Sequence, residues 1–210
     1  MKSFSFPHSS TAEIAEHVKS TGAETIIFDA GHIPSTPFEA KVNEVSLKAA
    51  AAIAEQLAGL GLIVQPQFLV EQQATEAGLI TRQIALAKSM GLEFPDPIFE
   101  DQLHPGALAV LETIKSTLKV TEHQGHTFWQ KPGIEGERGA PDIPGGRAKL
   151  LHQGQPTSLL TDTHLVESNR GTNVGFVTVV PTALRDQQRN VRALVNALHQ
   201  NLCYTSVLTS

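Results

Sequence analysis

Ile26-Ile27-Phe28-Asp29-Ala30-Gly31-His32, followed by Glu39-Ala40-Lys41-Val42-Asn43 at the head of a long Ala-rich segment, is the stretch that decides the fold. An apolar run that stops at Asp-x-Gly-His reads as a buried strand delivering an imidazole to a sheet edge. Glu39 opens the next helical pattern and can return a carboxylate to that same edge. Together the two residues look like half of a metal site.

Working outward, Ile14, Ala15 and Val18 predict a short amphipathic helix over 11–20, closed by Gly22, ahead of a strand at 24–30. Val42, Val45, Ala49, Ala52, Ile53, Leu57 and Leu60 recur at three- and four-residue steps. They predict a helix that packs one face on a sheet and ends at Gly61. Residues 62–70 read as a second strand, with Pro66 marking an irregular or edge portion. Helical spacing returns from Leu79 to Met90, a proline-rich loop is expected over 94–105, and Leu108, Leu111, Ile114 and Leu118 mark another helix. Residues 118–123 predict a third strand, and 131–147, with its many Gly and Pro, a long surface loop. Residues 159–166 and 175–180 are strand-like, and Val191, Leu194, Val195, Leu198 and Leu202 mark a closing helix. Strands alternating with helices imply one α/β domain over 1–210: three layers, a mainly parallel sheet with helices on both faces. Ligands of such folds collect beyond the carboxyl ends of the strands.

Composition narrows the partners. The net charge is −5, and no Lys/Arg cluster is denser than Arg185, Arg189 and Arg192, which argues against a nucleic-acid footprint. Cys203 is the single cysteine, so an intrachain disulfide and Cys-based zinc motifs are excluded. The first 25 residues carry Glu13, Glu16 and Lys19 without a signal-length apolar stretch, and no membrane-spanning run occurs. The expectation is a soluble cytoplasmic protein with no membrane partner, acting on a small-molecule or peptide-like substrate.

A catalytic zinc takes three His or carboxylate ligands and keeps one position open for a water whose pKa it lowers. His32, Glu39 and His123 are the candidate ligands, with His126 an alternative to His123, and Glu167 is the candidate general base. His32, His123 and Glu167 end predicted strands, and Glu39 begins a helix. In order and local context these residues resemble the zinc-dependent N-acetylmuramoyl-L-alanine amidases. The resemblance rests on Asp29-Ala30-Gly31-His32, Glu39-Ala40-Lys41-Val42-Asn43, Gly61-Leu62-Ile63-Val64, Arg82 with Ala85, Thr121-Glu122-His123 and Leu165-Val166-Glu167. It implies zinc on His32, Glu39 and His123. It also implies that Glu167 polarises the attacking water and protonates the leaving amine of an amide.

Each residue also has a plain structural reading. His32 can cap its strand by bonding the loop backbone. Thr36-Pro37-Phe38-Glu39 reads as a capping box with Pro37 at the first helical position. Phe128 and Trp129 suit a core as well as a pocket wall, and turn chemistry accounts for Asn169 and Gly171 in the polar segment 167–173. Asp162, His164 and Ser168 invite a serine-hydrolase reading but lack a Gly-x-Ser-x-Gly elbow. Residues 139–147 lack the Lys-Ser/Thr of a P-loop, and Gly31 stands where an aspartyl-nucleophile phosphatase has its second Asp. Three classes stay open: a zinc-dependent amide hydrolase, a metal-free α/β enzyme binding a small molecule at the strand ends, and a non-catalytic α/β protein.

Overall fold

A computed structural model describes residues 10–33, 37–70, 77–93, 96–132, 146–181, 185–199 and 203–209. In chain order its elements are α1 (Thr11–Ser20), β1 (Thr25–Ile33), α2 (Pro37–Gly59), β2 (Ile63–Val70), α3 (Ala77–Ser89), β3 (Ile98–Phe99) and α4 (Glu100–Thr117). There follow β4 (Val120–His123), β5 (His126–Gln130), β6 (Arg147–His152), β7 (Gln155–Pro156), α5 (Ser158–Ser168), β8 (Val174–Pro181), α6 (Arg185–Leu198) and β9 (Cys203–Thr209). The chain divides into two compact units. The first holds Met1–Asp101, Asn169–Arg185 and Cys203–Ser210, the second Gln102–Ser168 and Asp186–Leu202.

The first unit is built on a five-stranded sheet in the order β3-β2-β1-β8-β9, every pair parallel. Side chains of a strand alternate between faces, so the register sorts this sheet into two surfaces. On one, Ile26 and Phe28 of β1, Val177 and Val179 of β8 and Val207 of β9 pack with Leu47, Ala50, Ile53 and Leu57 of α2 and with Ile14 and Val18 of α1. On the other stand Ile27, Phe176 and Tyr204, with the last two rings stacked 6.4 Å apart. Every residue of β8 from Gly175 to Val180 is buried, the signature of a parallel strand covered on both faces. The protein is α/β, as expected.

Local chemistry sets the helix ends. Ser10 accepts from the Glu13 amide while Glu13 accepts from the Ser10 amide, a capping box that starts α1. α2 and α3 close in the same way: Gly61 and Gly91 adopt φ of +82° and +85°, and Leu62 and Leu92 donate back to Leu57 and Ala87. Only glycine takes that conformation without strain, so each helix stops where the next strand must begin.

The second unit carries an antiparallel sheet in the order β4-β5-β6-β7, with α5 and most of α4 and α6. Three expectations change here. The strand at 118–123 exists as β4, but it pairs with β5 in this antiparallel sheet and is absent from the parallel one. The stretch 159–166 is helix α5, not a strand. Its residues from Leu159 to Val166 are buried save His164, so no amphipathic stripe betrays it, and the Thr163 hydroxyl satisfies itself on the Leu159 carbonyl at 2.7 Å. The loop expected over 94–105 gives way to β3 and to the start of α4, whose first turn holds Glu100 and Asp101 and which carries Pro105 within it. Pro105 is the sixth residue of this helix, so α4 runs through it with the bond from that position to the Asp101 carbonyl missing. Of the expected 131–147 loop, 133–145 lie outside the described residues, and Arg147 already belongs to β6.

Candidate functional site at the parting of β1 and β8

The connection from β1 leads to β2 on one side of the sheet, and that from β8 leads to β9 on the other. In an open parallel sheet this reversal leaves a crevice at the carboxyl ends of the two central strands. The register shows where the two central strands part. The β1–β8 ladder stops at Asp29–Thr178, whereas β1–β2 continues to Ile33–Val70 and β8–β9 to Pro181–Thr209. Between Asp29 and His32 the pairing with β2 slips by one residue. Such a bulge bends a strand and re-aims the residues beyond it.

A polar row crosses the sheet at this level. Gln67, Asp29 and Thr178 are lateral partners on β2, β1 and β8, and all three lie on the face opposite α2. With strands about 4.8 Å apart, the row spans roughly 10 Å, the width of a small molecule. Thr178 is buried, and Asp29 and Gln67 are half-buried. The Gln67 amide donates to Asn169 Oδ1 at 3.4 Å, and its Oε1 is buried with no partner among the described residues. A buried acceptor left unpaired costs about 1–3 kcal/mol, so it calls for a donor. Gln67 and Thr178 escape a reading of the sequence for motifs. Their only signal is a polar residue breaking the apolar runs of β2 and β8.

The four residues singled out in the sequence fall in two places. His32 lies near the end of β1, and Glu39 is the third residue of α2, which starts at Pro37 as expected; both are in the first unit. Their side chains lie outside the described residues. His123 and Glu167 are in the second unit. His123 is the exposed last residue of β4, directly opposite His126. His126 accepts the Gln153 amide on Nδ1 at 3.2 Å, which puts the proton of its neutral ring on Nε2, and the ring stacks on His152 at 4.6 Å. Glu167 lies near the end of α5, not at a strand end, and its Oε1 is 2.6 Å from His199 Nε2. One turn earlier on the same helix, His164 has its pKa lowered, chiefly by burial and against the pull of Glu167. Among the described residues no group of three His, Cys, Asp or Glu is placed to hold a metal ion.

No protein-family model matches the chain, and no curated protein matches it. Among solved structures it is similar to a Campylobacter jejuni protein provisionally assigned as an arginyl tRNA synthetase, with 11% identity and a TM-score of 0.55. The match covers 95% of this chain and 60% of that one, so the chain spans less than two thirds of its neighbour's length. At that identity the likeness is one of fold.

Proposed function

We propose that this chain is an α/β enzyme that binds a small polar molecule in the crevice at the carboxyl ends of β1 and β8. The observation that carries the reading is the end of the central ladder at Asp29–Thr178 while both outer ladders run on. Gln67 Oε1 and the Thr178 hydroxyl orient the ligand, and Asp29 is the carboxyl group of the row suited to proton transfer. A ligand that donates a hydrogen bond to Gln67 relieves an unpaired acceptor, so Gln67→Leu separates binding from folding. The ligand-free variant should be about 1 kcal/mol more stable than wild type, because a buried unpaired oxygen is gone. In a thermal-shift screen of small metabolites it should also lose the stabilisation that hits confer on wild type. Hits that stabilise Gln67→Leu and Thr178→Val as much as wild type would refute the site.

A second reading, zinc-dependent hydrolysis of an amide bond, is favoured by one placement. His32 and Glu39 bracket the single short connection from β1 to α2. In that reading His32, Glu39 and His123 would hold the ion, which would activate a water, and Glu167 would move the proton. Metal analysis of the purified protein tests it: zinc near one per chain, lost in His32→Ala, supports this chemistry over the first.

A further inference from the structure

A separate cleft of about 610 Å³ opens in the first unit, lined by α2, by β2 and by the residues after α3. Its walls explain why it stays open. α2 turns Leu47, Ala50, Ile53 and Leu57 into the core, and along a neighbouring stripe it presents Ala51, Ala54 and Ala58 to the cleft. Alanines there leave volume that larger residues would fill. Val64 and Pro66 of β2 form the floor on the α2 side of the sheet, and the Gly91 turn sets Met90 and Leu92 along the far wall. Apart from backbone groups, the polar elements of the lining among the described residues are the carboxylates of Glu55 and Glu93. Both residues are exposed, and neither carboxylate meets a cation among the described residues.

An apolar trough of small-molecule size with two carboxylates selects for both halves of one ligand type. We propose that this cleft is a binding site for organic ammonium ions, with an aliphatic or aromatic body lying on Ala51, Ala58, Val64 and Pro66 and the charged head drawn to the carboxylates of Glu55 and Glu93. An alcohol of the same length offers the body without the charge, and a carboxylic acid offers the body with the wrong charge. The site lies on the α2 face of the sheet, whereas the Gln67–Asp29–Thr178 row lies on the opposite face, so this inference stands independently of the function proposed above.

The test uses the full chain with n-hexylammonium, n-hexanol and n-hexanoate, with binding read by calorimetry or by ligand-observed NMR. The ammonium should bind saturably, the alcohol about fivefold more weakly and the acid more weakly still, as expected for two solvent-screened ion pairs. The double variant Glu55→Gln/Glu93→Gln, altered only at exposed positions, should bring the ammonium down to the alcohol's affinity. Ala58→Leu, also at an exposed position, should fill the trough and abolish binding of both while leaving the thermal melt in place. Hexanoate binding as tightly as hexylammonium, or hexylammonium binding unchanged by Ala58→Leu, would overturn the assignment, as would the absence of saturable binding to wild type.

Discussion

Substituting Gly106, within α4, by alanine should destabilise this protein even though alanine is the better helix former. A Cβ built at Gly106 would overlap the imidazole of His164 on α5, meeting Nε2 and Cε1 first and Cδ2 at 2.9 Å. The overlapped group is a stiff ring on a half-buried residue, so it must swing aside to make room. Gly→Ala in a helix interior gains up to about 1 kcal/mol, and overpacking of this kind costs about 1–3 kcal/mol. Gly106→Ala should therefore lose up to about 3 kcal/mol in urea unfolding, but gain up to about 1 kcal/mol in a His164→Ala background, a coupling of about 1–3 kcal/mol. The titration of His164 gives a second readout. Its pKa is lowered from 6.5 in the folded protein, so the unfolded chain binds its proton more readily. The stability it contributes is complete above pH 6.5 and is lost as the pH falls below that value toward the lowered pKa. Displacing the ring into water should return its NMR titration toward the ordinary value and flatten this part of the pH dependence. Equal effects of Gly106→Ala in both backgrounds would refute the close packing of α4 on α5.

Leu57→Ala, at a fully buried position on the sheet-facing side of α2, should cost about 2–5 kcal/mol in chemical denaturation, whereas Ala58→Leu beside it should cost little. Glu167→Gln keeps the shape of the contact with His199 but removes its charge, and should cost about 1–2 kcal/mol at neutral pH, read from the urea midpoint. If Glu167 instead serves a zinc-bound water, the same variant should abolish amide hydrolysis by the metal-loaded protein with little change in stability. Asp29→Asn should preserve the fold and suppress turnover of any substrate found for the crevice more than its binding.

The alternation of strands and helices around Ile26–Gly31 was legible because α1, α2 and α3 each carry one apolar stripe and end in a glycine turn. α5 was not, because a helix buried nearly all round has no stripe to show, and its Leu-Leu and Leu-Val pairs read equally as strand. β9 was missed for a related reason. Cys203–Thr209 mixes polar and apolar residues, yet Thr205 is buried alongside Tyr204 and Val207, so its burial does not track hydrophobicity. The antiparallel sheet was hidden by pairing, which depends on partners distant in the chain. At the proposed crevice, Asp29-Ala30-Gly31-His32 marks the carboxyl end of β1 in the sequence, but the row on the sheet depends on register. Gln67 becomes a neighbour of Asp29 only once β1 and β2 are aligned.

The most direct measurement is amide chemical-shift mapping on ¹⁵N-labelled protein with whichever polar small molecule stabilises it. Shifts concentrated at Asp29, Gln67 and Thr178 and along the ends of β1 and β8 are the predicted result. Shifts that leave these residues untouched and gather in the second unit would contradict the placement of the site.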